Sequence, residues 1–342
     1  MNSLLRRRLI AGGSAAFAAI ASGGVLPMPA QAVTAGAQAS AAVIDPGIVE
    51  FTAAAGTTNR LTITSAGDTV IFDDRVAIQA GEGCEPVTGD PTSVRCTTPQ
   101  WTRWIQVSLG DGNDTMTNKA NINIIGYGGA GNDRLTGGGS HDELFGEAGD
   151  DTLRGGGNND YLSGGPGTDV LHGGLEEDYL DGGPGADTLR GGSGSDYATY
   201  AHRTRPVVVD LDNARGDDGE KGERDTVAGD VENIIGGLGA DTLTGNSGPN
   251  SIYGDAGNDV IRGGAGDDGL VGESGDDRIY GQRGDDFLMG EPSPPRGSGE
   301  DLGSDTALDR VYGGSNTAVG DSCYVRAAGV VVNCEFVADT TE

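Results

Sequence analysis

The sequence predicts an all-β solenoid, two thin parallel sheets wound from very short strands, preceded by a small β cap. Three observations predict it. A nine-residue period runs without a slip from Gly128 to Thr199, eight copies, and returns from Gly236 to Met289 for six more. All fourteen copies have Gly at position 1 and an apolar residue at position 8. Position 6 is Asp in every copy but one, where Asn250 stands. A fixed period over such a length means units that bury their apolar residue only by stacking on neighbours.

Each unit divides into two chemical halves. Positions 1 to 6 are Gly-rich and acidic and predict a turn, because Gly reaches positive φ without a Cβ clash. Positions 7 to 9 predict a strand with one residue facing inward. That residue is Leu135, Leu144, Leu153, Leu162, Leu171, Leu180, Leu189 and Ala198 in the first block. In the second it is Leu243, Ile252, Ile261, Leu270, Ile279 and Leu288. Strands on alternate sides place two units, 18 residues, in each full turn. The core is then a pair of narrow Leu/Ile ladders.

The turns also concentrate carboxylates and carbonyl oxygens in rows. All-oxygen ligation suits a hard cation of flexible coordination, which points to calcium over zinc or copper. With 52 acidic and 22 basic residues the chain has a formal net charge of −30. Low hydrophobicity with high charge is also a signature of disorder. Both readings hold together if the chain folds on binding metal, since binding energy is then folding energy.

This stretch resembles the calcium-binding nonapeptide repeats of RTX (haemolysin-type) proteins, whose pattern is GGxGxDxUx. The resemblance spans both blocks plus an outlying copy, Leu109 to Thr117. It implies a right-handed parallel β-roll with calcium between turns. The ligands it implies are the position-6 aspartates, here Asp114, Asp133, Asp142, Asp151, Asp160, Asp169, Asp178, Asp187 and Asp196, then Asp241, Asp259, Asp268, Asp277 and Asp286. It also implies turn carbonyls at Gly129, Gly131, Gly149, Gly167, Gly185, Gly239, Gly257, Gly266, Gly275 and Gly284. Aspartates 18 apart pair as 133/151, 142/160, 151/169, 160/178, 169/187, 178/196, 241/259, 259/277 and 268/286, nine candidate Ca2+ sites.

Departures from the pattern refine this. Position 4 is Ser140, Asn158 and Glu176 in alternate copies, while the intervening copies keep Gly149, Gly167 and Gly185. Units 18 apart share an edge. One edge (Asp133, Asp151, Asp169, Asp187) is therefore expected to bind calcium well and the other (Asp142, Asp160, Asp178) more weakly, since Glu tolerates the left-handed region poorly. Asn250 weakens the pairing to Asp268.

The remaining chain frames the repeats. Residues 1–32 read as a secretory signal peptide: Arg6 to Arg8, an apolar run from Leu9 to Leu26, and cleavage after Ala32. A transmembrane anchor is the alternative, and the consecutive arginines also allow the twin-arginine route. Residues 33–108 show strand alternation, as in Arg60 to Thr64, Thr69 to Asp73 and Arg103 to Ser108, and predict the cap. Residues 109–199 and 236–290 hold the two repeat blocks. Residues 200–235 interrupt them in phase, since Asp196 and Asp241 are 45 apart. Ile234 falls on the position-8 register, by chance or because this is a bulge of the same roll. Residues 291–342 predict a Pro/Gly/Ser loop, a degenerate last unit and a closed end. Four cysteines allow three connectivities; local pairs Cys84–Cys96 and Cys323–Cys334 are the simplest, against free thiols or zinc ligands.

No catalytic constellation stands out. HExxH and GxSxG are absent, and the histidines (His141, His172, His202) lie in or beside repeats. The expectation is a secreted, extracellular, non-enzymatic protein with calcium ions as partners and no transmembrane segment. Its acidity argues against nucleic acid. A pore-forming toxin lacks its helices here, and an ice-binding roll lacks its Thr row. Tyr161, Tyr179 and Tyr197 lie one above another on position 7. They form a contact stripe for a carbohydrate or cell-surface ligand, or they pack across neighbouring strands. The readings are a calcium-folded structural protein and an adhesin using the calcium roll as scaffold.

Overall fold

A computed structural model describes residues 38–99, 101–290, 310–315, 321–325, 330–332, 334 and 336–339. Residues 1–32, expected as a signal peptide, and residues 291–304, expected as a loop, lie outside the described residues. Every regular element among those described is a strand, and most pairs are parallel, the arrangement of a parallel β-roll. The chain divides into two compact units, within Pro29–Asp196 and Tyr197–Glu342.

In the first unit the apolar position of each repeat pairs with the same position 18 residues on. Leu135 faces Leu153, then Leu171, then Leu189 in one sheet. Leu144, Leu162 and Leu180 align in the other. All seven are at most 1% exposed. Burying one such side chain is worth about 1.5–3 kcal/mol, and one per nine residues is the whole core of the repeats.

Both sheets run on into residues 39–118. Ile48–Thr52 pairs in parallel with Trp104–Ser108, which pairs in parallel with Asn123–Ala130. On the other side Arg60–Ala66 pairs with Thr115–Asn118, and that strand with Arg134–Gly138. Val49 and Ile105, and Leu61 and Met116, thus extend the ladders and are buried. Antiparallel strands close this end: Thr69–Asp73, Asp90–Thr97 and Cys84–Val87 pair in turn beyond Arg60–Ala66. A disulfide joins Cys84 to Cys96.

In the second unit Ile234 is fully buried and stands in register between Ala198 and Ile252. The interruption therefore contributes a rung. Val207–Asp210 adds another, with Val209 against Leu243. The ladders continue as Ile252, Leu270, Leu288 and Cys323, and as Leu243, Ile261, Ile279 and Val311. Val330–Val332 extends one sheet and a further strand, Phe336–Asp339, the other. Cys323, seated where a repeat has Leu or Ile, forms a disulfide with Cys334.

Candidate metal centre

The geometry of the turns begins with backbone that no longer has a strand partner. The strand of each unit begins at position 7, so the amide N–H of the Asp just before it needs an acceptor. The Asp one full turn ahead supplies it. Asp133 N donates to Asp151 Oδ1 at 2.7 Å, Asp151 N to Asp169 Oδ1 at 2.7 Å, and Asp169 N to Asp187 Oδ1 at 2.8 Å. The opposite edge repeats this through Asp142, Asp160, Asp178 and Asp196, at 2.8 to 3.0 Å. In the second unit Asp241 donates to Asp259, Asp259 to Asp277 and Asp268 to Asp286. All nine aspartate pairs read from the 18-residue spacing are brought together.

In ten of these aspartates only one carboxylate oxygen is used this way. In Asp114, Asp133, Asp142, Asp151, Asp160, Asp169, Asp178, Asp259, Asp268 and Asp286 the Oδ2 atom is buried and has no protein partner. Their side chains are at most 2% exposed. A buried carboxylate oxygen without donor or cation costs several kcal/mol, so ten in rows is a strong demand for positive charge.

Each Oδ2 points into the turn of its own unit. A Cβ placed on Gly128 would collide with Asp133 Oδ2 and the Gly146 carbonyl; on Gly146 it would collide with Asp151 Oδ2 and the Gly164 carbonyl. Position 1 must therefore be Gly, and the space it leaves lies between a carboxylate oxygen and a carbonyl oxygen. At position 4, Gly149 has φ +142° and a Cβ there would overlap the Gly131 carbonyl. Gly167 and Gly185 meet the Gly149 and Gly167 carbonyls in the same way, as do Gly257, Gly275 and Gly284 with Gly239, Gly257 and Gly266. Gly131 and Gly129 stack on Gly112 and Gly110; Gly239 instead abuts Arg205 and Pro206. Carboxylate, carbonyl and glycine thus recur through most levels: an all-oxygen donor set that fits calcium.

The electrostatics agree. Loss of solvation raises Asp133, Asp142, Asp169, Asp178, Asp259 and Asp268 to about 7, against the donated backbone N–H, which pulls the other way. Asp160 is pushed to about 9, with Asp142 and Asp178 adding to burial. Asp114, Asp241 and Asp286 rise to about 6, and Asp151 is raised as well.

The two edges differ at position 4, as the sequence indicates. Asn158 and Glu176 take left-handed φ of 65° and 76°, and Asn158 Nδ2 donates to the Gly139 carbonyl at 2.7 Å. The aspartate bonds are nonetheless the same on both edges. Position 2 carries departures that the pattern reading passed over: Glu147, Asp255 and Glu273 are also left-handed. Asp321 was missed too. It is buried and accepts from Asp286 N at 3.0 Å, in the place of the next row member. Its signal was Asp321-Ser-Cys-Tyr324, a DxUx with Cys at the apolar position, 35 residues after Asp286.

A stack of short parallel strands whose turns line up buried carboxylates defines a repeat protein built around cations. More particularly, the chain carries the RTX calcium-binding nonapeptide repeat in four copies, at residues 127–162, 163–198, 235–270 and 270–292. It is a calcium-binding β-roll protein. No curated protein matches the chain.

Proposed function

We propose that this is an exported protein whose calcium ions are structural, folding the roll when the chain meets external calcium. The observation that carries this is the set of buried, unpartnered Oδ2 atoms: without cations, they oppose the fold that buries them. Export is supported by Arg6 to Arg8, the apolar run and the Ala30-Gln31-Ala32 cleavage pattern, and by two disulfides, which persist in oxidising compartments. Among the described residues no helix is long and apolar enough to cross a membrane. The role is non-enzymatic on this reading: the buried acids are spent on turns. At tenfold saturation each site adds about 1.4 kcal/mol to stability. The test is far-UV circular dichroism of the chain from Val33, titrated with calcium after chelation, with magnesium as control. A cooperative gain of β signal with calcium alone is expected; a chain already folded in chelator and indifferent to calcium would refute the proposal.

A second reading, adhesion with the roll as scaffold, draws on an aromatic row on the outer face of one sheet. Tyr127 stacks on Phe145 at 5.1 Å between centroids, and Phe145 lies 5.8 Å from Tyr161, which pairs with Tyr179. A glycan array in calcium buffer tests it; no binding leaves these rings as cross-strand packing.

A further inference from the structure

Two turns at the start of the second block aim their position-2 N–H at their own position-6 side chain, whereas Gly165 and Glu273 send it to a neighbouring turn and Gly183 to Asp181 Oδ1. Gly165 N donates to the Gly182 carbonyl and Glu273 N to the Gly290 carbonyl, both at 3.1 Å. In the unit of Asp241 that N–H turns inward. Gly237 N donates to Asp241 Oδ2 at 2.6 Å, while Asp241 Oδ1 accepts from Val207 N at 2.9 Å. Both oxygens of this carboxylate therefore hold backbone donors. The next unit does the same with an amide. Asn246 N donates to Asn250 Oδ1 at 2.8 Å, and Asn250 Nδ2 donates to the Glu232 carbonyl at 2.7 Å.

The atoms concerned occupy the metal-facing place. A Cβ on Gly236 would lie 2.8 Å from Asp241 Oδ2 and 2.5 Å from the Gly254 carbonyl. Gly245 has the same relation to Asn250 Oδ1 and the Gly263 carbonyl. These are the two oxygens that face the cation space at Asp133 and Asp151. At Asp241 and Asn250, hydrogen-bond donors fill it. A donated N–H satisfies a buried carboxylate oxygen as a cation does, and an N–H directed at that oxygen opposes a cation beside it.

We infer that the Asp241 and Asn250 turns are metal-independent clasps, so that the second block takes calcium only from Asp259 onward. This rests on the calcium reading above and narrows it: the 241/259 pair shares a hydrogen bond, but the Asp241 level holds no ion. Asp321 at the far end shows the same closure, accepting from Gly314 N at 2.8 Å. The calcium-requiring turns of this block thus stand between levels held by the chain's own donors.

Two measurements on the full chain test this. Native mass spectrometry at saturating calcium counts ions in wild type, Asp241→Asn and Asp259→Asn. Loss of one ion in Asp259→Asn and none in Asp241→Asn is expected; equal loss in both overturns the inference. Hydrogen exchange on the wild-type protein covers the event that Asp241→Asn fails to fold. The amides of Gly237 and Asn246 are expected to keep their protection in chelator while those of Asp259 and Asp268 lose it. Protection at Gly237 and Asn246 that appears only with calcium overturns the inference while leaving the calcium reading intact. Absence of any bound ion in the wild type overturns both.

Discussion

Replacing Asp169 by Asn should change sign with calcium. Asp169 is fully buried in the first repeat block. Its Oδ1 accepts from Asp151 N at 2.7 Å, which an Asn oxygen can also do. Its Oδ2 has no protein partner, and burial raises the carboxyl to about 7. In chelator at pH 8 the folded chain must keep this group ionised against its environment or hold a proton that solution disfavours. Asn removes that conflict, so Asp169→Asn should fold at higher pH, and resist more urea, than wild type in chelator. In saturating calcium the substitution removes a ligand and should cost about 1.4 kcal/mol at tenfold saturation. Asp169→Ala also strips the acceptor from Asp151 N, adding about 1–3 kcal/mol for a buried unsatisfied donor, and should destabilise in both conditions. Urea melts of the three proteins, with and without calcium, give the comparison. Asp169→Asn weakening the fold equally in chelator and in calcium would refute the assignment of Oδ2 to a cation.

Four further outcomes follow from the same geometry. In chelator, the row aspartates have folded pKa values raised to about 7 from 3.8, so the folded state binds more protons in that interval. Metal-free stability is then fully present below about pH 4 and lost as pH rises through about 7; circular dichroism from pH 4.5 to 8 in chelator should show β structure fading upward. Leu153→Ala, in mid-ladder and fully buried, should cost about 2–5 kcal/mol in a calcium-saturated thermal melt. Gly149→Ala should cost at least about 1–3 kcal/mol for its backbone conformation alone, before displacing the Gly131 carbonyl, whereas Gly157→Ala, with its nearest neighbour 3.8 Å away, should be near neutral in the same assay. In crystals soaked at limiting calcium, the row of Asp142, Asp160 and Asp178 should fill last, because Asn158 Nδ2 already occupies the Gly139 carbonyl; equal filling of both rows would count against the effect of position 4.

The repeats were legible because each nonapeptide states its own structure. One apolar residue, one Asp and one obligatory Gly at fixed positions fix the strand, the row and the close approach, and a step of 18 fixes which residues meet. Legibility ended where that step was broken. Val49 and Ile105 share a rung 56 residues apart, and Leu61 and Met116 one 55 apart, because the antiparallel strands between Thr69 and Thr97 are inserted into a turn. No period reveals such pairs, so the sequence does not show that strands within the N-terminal cap also continue the ladders. Asp321 was hidden in the same way, 35 residues after Asp286 rather than 18. The inward turn of Gly237 N and Asn246 N was hidden for another reason. It is a choice of hydrogen-bond acceptor: around Asp241 the sequence keeps every letter of the pattern, and in the next unit the change to Asn250 does not say where Asn246 N points.

Every level of this roll poses one electrostatic problem, a buried oxygen facing a glycine turn, and the chain meets it in different ways. At Asp133, Asp151 and Asp169 the oxygen has no protein donor and must take a cation, or a proton once the pH falls below its raised pKa. At Asp241 and Asn250 a backbone N–H is already in place. The first solution depends on what the solvent contains; the second does not. A roll made only of the second kind would fold with or without calcium. A roll made only of the first kind would have no level that holds in the absence of metal. Clasps at the start of the second block, followed by open levels from Asp259 to Asp286, confine that block's dependence on calcium to its open turns, where neighbouring carboxylates add to one another's raised pKa and their mutual charge opposes removal of the metal.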